Sequence, residues 1–265
     1  MKQLLYALAD GHVIAKRNVI KIKRVPEVLV FVVISPIMFV LLFAYVFGNS
    51  IDIPGGSYRE FLIGGIFAQT VIFGATFTGA GIADDMQKGI INRFRSLPMS
   101  RSSVLVGRTA SDVVYNVISL FIMALTGLIV GWRVHNGVLD TVLGFALLLT
   151  FAYAFSWIMA YVGLLVPSVE VINNASFLVI FPLTFIANTF VPSENLPGVL
   201  RTFAEWNPVS ALTQAVRELF GNIPAGTPEP TVWPLENPVL YTLIWAAIIV
   251  AIFLPLSVRR YTRAK

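Results

Sequence analysis

Residues 61–104 read FLIGGIFAQTVIFGATFTGAGIADDMQKGIINRFRSLPMSRSSV. From Phe61 to Ala83 there is no Asp, Glu, Lys or Arg. A helix needs about 20 mostly apolar residues to cross the hydrocarbon core of a bilayer, and this run is long enough. The next stretch abruptly carries Asp84, Asp85, Lys88, Arg93, Arg95 and Arg101 around Pro98. A connection that only reversed the chain could be much shorter. The first half of the stretch decides the fold, and the second half raises the question of function.

The same reading applies outward. The chain has 265 residues, 57% hydrophobic and 12% charged, about half the charged share of a soluble domain. Six apolar segments qualify as spans: Val28 to Phe47, Phe61 to Ala83, Val113 to Gly131, Val142 to Val166, Val171 to Phe190, and Val239 to Val258. None contains a charged residue as drawn. The expected fold is an all-α polytopic membrane protein, one transmembrane domain over residues 1–265, with an extracytoplasmic segment at 191–237. Span one is longer than a signal-peptide core and no small-residue cleavage site follows it, so it is read as retained.

Lysine and arginine set the orientation. Fifteen lie in the N-terminal segment, the segment between spans two and three, and the C-terminus, while Arg59, Arg133, Arg201 and Arg217 are the four on the other side. Positive residues collect on the cytoplasmic face, which places both termini and residues 84–104 there. The net charge of +5 therefore reflects membrane topology and not nucleic-acid binding.

Two flanking pieces have helical periodicity. In residues 4–24, Leu4, Leu8, Ala15, Val19 and Ile22 share one face and Asp10, Arg17, Lys21 and Arg24 the other, the pattern of an amphipathic helix at the cytoplasmic membrane surface. It serves either as an anchor for span one or as a contact for a partner. Before span six, Asn207 is placed as an N-cap, Pro208 as first helical residue and Gly221 as terminator of a short amphipathic helix with Val209, Leu212, Val216 and Leu219 on one face. It lies on the outer side, on the membrane or dipping into it.

No catalytic constellation is visible. There is no cysteine, and the two histidines, His12 and His135, lie in polar segments, which argues against thiolate or histidine metal sites and a Ser-His-Asp triad. Residues 74–81, GATFTGAG, have the glycine spacing of a phosphate loop, but Ala80 stands where lysine is required. The chain is expected to be no enzyme and to hold neither metal nor cofactor. Ion-coupled carriers place ionisable groups inside the membrane, and the spans as drawn have none. If the chain transports anything, its energy comes from another protein docked on the cytoplasmic face. In 84–98, Met86, Ile90 and Phe94 or Leu97 would form an apolar stripe on a helix ended by Pro98. Such a helix suits a groove on a partner, and the alternative is a solvated loop whose arginines set topology.

This segment resembles the region after the second span in membrane subunits of type-2 ABC exporters, the daunorubicin- and doxorubicin-resistance permeases in particular. The resemblance rests on Gln87, the Lys88–Gly89 pair, Arg93, Arg95 and the Leu97–Pro98–Met99–Ser100 turn, and on the span order and residues 190–222. Asn92 stands where many type-2 permeases have a second acid. The resemblance implies a permease of the bacterial cytoplasmic membrane that pairs with a separate ATP-binding subunit, ATP and magnesium being bound there. It implies a second permease copy or related chain. Met86, Gln87, Lys88, Gly89, Ile90, Arg93, Phe94, Arg95, Leu97 and Pro98 would form the coupling helix, with the N-terminal helix as a second contact. Substrate would move outward, by alternating access, between spans two and five. Those spans offer Gln69, Phe73, Thr76 and Phe77, then Phe177, Phe181, Phe185 and Asn188. Aromatics with a few hydrogen-bonding groups suit hydrophobic or amphipathic molecules: drugs, antibiotics or lipids. A non-transporting scaffold and an ion-coupled carrier are the competing readings.

Overall fold

A computed structural model describes residues 14–15, 17–18, 20, 34–35, 37–47, 56–96, 101–193 and 196–263. The regular structure among them is helical: α1 (Ile37–Val46, ending in a π-helical turn at Phe43–Phe47), α2 (Tyr58–Gly74), α3 (Thr76–Gln87), α4 (Ile90–Ser96), α5 (Arg101–Val130), α6 (Val138–Gly163), α7 (Val169–Phe185), α8 (Gly198–Trp206), α9 (Pro208–Phe220), α10 (Trp233–Glu236) and α11 (Pro238–Arg263). Among the described residues, four stretches are long and apolar enough to cross a bilayer: Tyr58–Gln87, Ser103–Val130, Val138–Gly163 and Pro238–Arg263, with α1 and α7 as shorter apolar helices.

The central element is α6, which packs on α11, α3, α9, α5 and α2. Its crossing with α3 brings Gly163 against Gly79, where an added Cβ at 163 would meet the Gly79 carbonyl oxygen at 2.5 Å. Backbones that approach this closely need small residues, because helices in lipid gain contact by packing and not by leaving water. A large core runs through α2, α5, α6, α7 and α9. A smaller one, with Ile14, Ile82, Ile91, Leu105, Trp157 and Tyr261, fills the end of the bundle where α4 joins α3 and α5.

Several elements differ from the sequence reading. The second apolar stretch breaks at Ala75, where the Thr76 hydroxyl donates to the Phe73 carbonyl at 2.7 Å. Residues 84–87 complete α3 instead of opening a separate helix over 84–98: a left-handed turn at Gly89 (φ 65°) follows before α4. Leu97 and Pro98 lie outside the described residues. Helix α5 starts at Arg101, twelve residues before the drawn span, so it includes Arg108 and Asp112. Helix α7 ends at Phe185, and residues 186–190 turn. Gly131, the last residue of the third drawn span, ends α5 with φ 107°.

Helix α9 begins and ends where its caps predict. The Asn207 side chain accepts from the Val209 N–H, Pro208 is the first helical residue, and Gly221 closes the helix at φ 70°. Its burial is the surprise. Val209, Leu212 and Val216 are buried, and so are Ser210, Thr213 and Arg217 on other faces. The helix sits within the bundle against α6, α11 and α2. The sequence pattern sees one apolar stripe; the fold buries nearly the whole circumference, with Ser210 and Arg217 meeting backbone groups of neighbouring elements.

Candidate docking face and transport path

Arg17 and Asn18, from the N-terminal helical residues, tie one end of the bundle together. Arg17 Nη2 donates to Asp85 Oδ2 at 3.0 Å, and its guanidinium lies 5.1 Å from the Phe94 ring centroid. Asn18 Nδ2 donates to the Ser111 hydroxyl at 3.2 Å. The end of α3, α4 and the start of α5 are thereby fastened to the N-terminal helix. The remainder of that helix over 4–24 lies outside the described residues.

This arrangement redistributes the stripe read from the sequence. Met86 and Phe94 pack against the small inner core, and neighbouring Ile91 is buried in it. Ile90 is half-buried, while Gln87, Lys88 and Arg93 are exposed around the Gly89 turn. The outward face is therefore polar and basic, and the apolar residues hold α4 onto its own chain. Lys88 pairs with Asp84 at 2.7 Å. The hydrogen bond to Asp84, with the attraction of its carboxylate, raises the Lys88 pKa. The backbone of Arg95 is in α4; its side chain is outside the described residues.

Four of the eight path candidates come together as one aromatic run. Phe73 meets Phe177 at 6.5 Å between ring centroids, Phe177 meets Phe181 at 4.9 Å, and Phe181 meets Phe185 at 4.0 Å. The run continues through Phe190 at 4.7 Å, Phe43 at 4.4 Å and Phe39 at 6.0 Å. Phe177, between Phe73 and Phe181, is 57% exposed. Phe39, Phe43 and Phe190 are not among the path candidates read from the sequence. The four-residue spacing of Phe39 and Phe43 matches that of Phe177, Phe181 and Phe185, and was the available signal.

The other four candidates do different things. Thr76 stitches the break at Ala75. Phe77 stacks on Tyr115 of α5 at 5.9 Å. Gln69 and Asn188 are buried, and the Asn188 N–H donates to the Ser210 hydroxyl at 3.1 Å.

A buried polar seam runs beside this face, absent from the sequence reading. The Thr78 hydroxyl donates to Asp112 Oδ2. Arg108 Nη2 donates to the Phe77 carbonyl at 2.9 Å, and Asn116 Nδ2 to the Asp112 carbonyl at 2.9 Å. Gly74 and Gly81 leave the room that Asn116 and the Arg108 guanidinium occupy. Arg108, Asp112 and Asn116 recur every four residues, so they share one face of α5. Asp112 lies about 27 Å from Val130 along a 1.5 Å-per-residue helix, close to the thickness of a hydrocarbon core, about 30 Å. Asp112 is buried and Arg108 half-buried between helices near its boundary, with Arg108 Nε, Asp112 Oδ1 and Asn116 Oδ1 lacking a hydrogen-bond partner among the described residues.

Six apolar helices among the described residues, four of them long enough to cross a bilayer, define a multi-pass membrane protein. The chain belongs to the ABC-2 type transporter family, whose profile matches residues 11–220. It is a multi-pass protein of the bacterial plasma membrane. It is 32% identical to the daunorubicin resistance ABC transporter permease protein DrrB1 of Streptomyces coeruleorubidus, over 92% of this chain and 83% of that one. It is 24% identical to the probable doxorubicin resistance ABC transporter permease protein DrrC of Mycobacterium tuberculosis, over 88% of this chain and 80% of that one. A putative transport permease, ycf38 of Cyanophora paradoxa, is 23% identical over 82% of this chain and 76% of its own length.

Proposed function

We propose that this chain is the membrane subunit of an ATP-driven exporter, working with a separate ATP-binding subunit and a second permease subunit. The observation that carries the reading is the Lys88–Gly89 turn. It projects at one end of the bundle between α3, which continues the second span, and α4, with Gln87, Lys88 and Arg93 exposed around it. The neighbouring N-terminal helix is pinned to it through Arg17 and Asp85. A push on this turn is transmitted directly to α3 and, through Thr78 and Asp112, to α5.

The substrate class is a hydrophobic or amphipathic molecule, a drug, antibiotic or lipid, moved outward by alternating access along the aromatic run. The resistance permeases named among the relatives favour a drug. Exposed apolar residues on α1 and α7, among them Met38, Leu42, Leu178 and Val179, offer a face for the second subunit. Both termini and the Gly89 turn are placed in the cytoplasm, in line with the lysine and arginine distribution.

The test uses the chain with its ATPase in proteoliposomes, with doxorubicin as fluorescent probe. ATP-dependent movement of the probe that falls severalfold in Phe181→Ala supports the reading. ATP-independent movement driven by a proton or sodium gradient favours a carrier, and no movement with any energy source favours a scaffold.

A further inference from the structure

At the end of the bundle opposite the Gly89 turn, Arg217 of α9 is the largest buried charge, 1% exposed. Its Nε donates to the Phe61 carbonyl of α2 at 2.8 Å, and its Nη2 to the Thr189 carbonyl beyond α7 at 3.1 Å. The guanidinium lies 3.5 Å from the centroid of the Phe61 ring. One side chain therefore joins three elements: the top of α2, the unwound end of α7, and α9 itself.

The setting is shaped for this contact. An added Cβ at Gly64 would stand 2.9 Å from Arg217 Cγ, and one at Gly65 would collide with the Thr189 carbonyl. Because α7 stops at Phe185, backbone groups beyond it need partners from elsewhere. Helix α9 supplies them. Asn207 Nδ2 donates to the Leu183 carbonyl at 2.7 Å, the Ser210 hydroxyl accepts from the Asn188 N–H, and Arg217 takes Thr189. A continued helix would need none of these.

Packing alone is a poor reason for a guanidinium here. An apolar side chain of similar volume fills a buried site at less desolvation cost. The contacts are to main-chain carbonyls on elements that carry the aromatic run below, Phe73 on α2 and Phe177 to Phe185 on α7. A small cavity of about 60 Å³ lies alongside, lined by Phe61, Asn188, Ser193, Gln214, Arg217 and Thr227 among others. Asn188 Oδ1, Thr189 Oγ1 and Thr213 Oγ1 are buried without a hydrogen-bond partner among the described residues. Polar groups left unsatisfied in one arrangement lower the cost of leaving it.

We infer that Arg217 is a positioning residue that holds the outer mouth of the path shut by clamping α2 and the end of α7 to α9, and that export requires its release. This rests on reading the aromatic run as the path.

The chain has no cysteine, so single thiols report cleanly. Ser193, 2% exposed and lining the cavity, becomes the reporter as Ser193→Cys. Labelling by a membrane-impermeant maleimide from the outside is measured in proteoliposomes of the permease with its ATPase, without nucleotide. The expected result is slow labelling, rising at least about tenfold with Arg217→Met and a few-fold with Arg217→Lys, which keeps the charge but loses the two-directional fork. Thr126→Cys, buried near the outer end of α5, is the control. Equal acceleration at 126 would mean general loosening and would overturn the clamp. Unchanged labelling at 193 in Arg217→Met, or in Arg217→Lys should the methionine variant fail to fold, would also overturn it. ATP with vanadate separates the two readings. If nucleotide leaves wild-type labelling unchanged while Arg217→Met accelerates it, the clamp stands and the ATP-driven reading fails. If nucleotide accelerates the wild type and neither variant does, the clamp alone fails.

Discussion

Asp112 and Thr78 show what a single residue does in this membrane protein. A buried carboxylate needs hydrogen-bond donors, and Thr78 supplies one from α3. Thr78→Val keeps the shape and removes the donor. It should destabilise the protein by about 1–3 kcal/mol, the cost of leaving a buried polar group unmet, and Thr78→Ser should restore most of that. Thermal unfolding in detergent checks this, and a Thr78→Val protein that melts with the wild type would remove the seam from the stabilising contacts. The seam escaped the sequence reading for a physical reason. Hydropathy begins a span where charges end, so it drew the third at Val113 and left Arg108 and Asp112 in the loop. Their burial depends on a neighbouring helix, with Gly74 and Gly81 making the space. The caps Asn207 and Gly221 were legible because capping is local: one side chain meeting N–H groups within three residues, and one glycine in a left-handed conformation.

Elements reveal a second limit. The periodicity of Met86, Ile90 and Phe94 was real, but it could not say whether the stripe faced a partner or the chain's own core. Ile14, Ile82 and Tyr261 supply an internal answer. The Gly89 turn then becomes the element to test. An added Cβ there meets nothing within 4 Å, so only the backbone conformation resists substitution. Gly89→Ala should strain the turn by about 1–2 kcal/mol and lower coupled ATP hydrolysis, whereas Gly89→Asn, which tolerates this region, should stay near wild type. Equal activity in both variants would show that the turn's shape is unimportant.

At the other end, the loop after α5 is lashed to α9. Trp132 Nε1 donates to Asn222 Oδ1 at 2.7 Å, and Asn222 Nδ2 donates to the Arg133 carbonyl at 2.7 Å. Asn222→Leu should leave the buried Trp132 N–H without its acceptor and raise amide exchange across residues 131–137. Unchanged exchange there would mean that the His135 N–H to Phe220 carbonyl contact, 2.9 Å, suffices alone.

For the whole molecule, hydropathy carries most of the helical architecture. Six apolar segments, a charged interruption after the second and a capped helix before the sixth were all visible in the sequence. The placement of α9 was left open, on the membrane or dipping into it, because its burial within the bundle relies on Ser210 and Arg217 meeting backbone groups from distant parts of the chain. Orientation has a direct check in this cysteine-free chain. A thiol at Lys88 or Arg263 should react with an impermeant reagent only from the cytoplasmic side, and one at Glu229 only from outside. The reverse pattern would invert the path.

The most direct measurement is affinity purification of the tagged chain from its own membranes in mild detergent. A P-loop ATPase should accompany the wild type and be lost, with normal insertion, when Lys88 and Arg93 are both changed to Glu. Met86→Asp is the wrong probe, because Met86 packs into the chain's own core. If the ATPase persists undiminished in the double variant, the Gly89 turn is not the docking face. If none accompanies the wild type even after crosslinking, the chain does not work as the membrane subunit of an ATP-driven exporter.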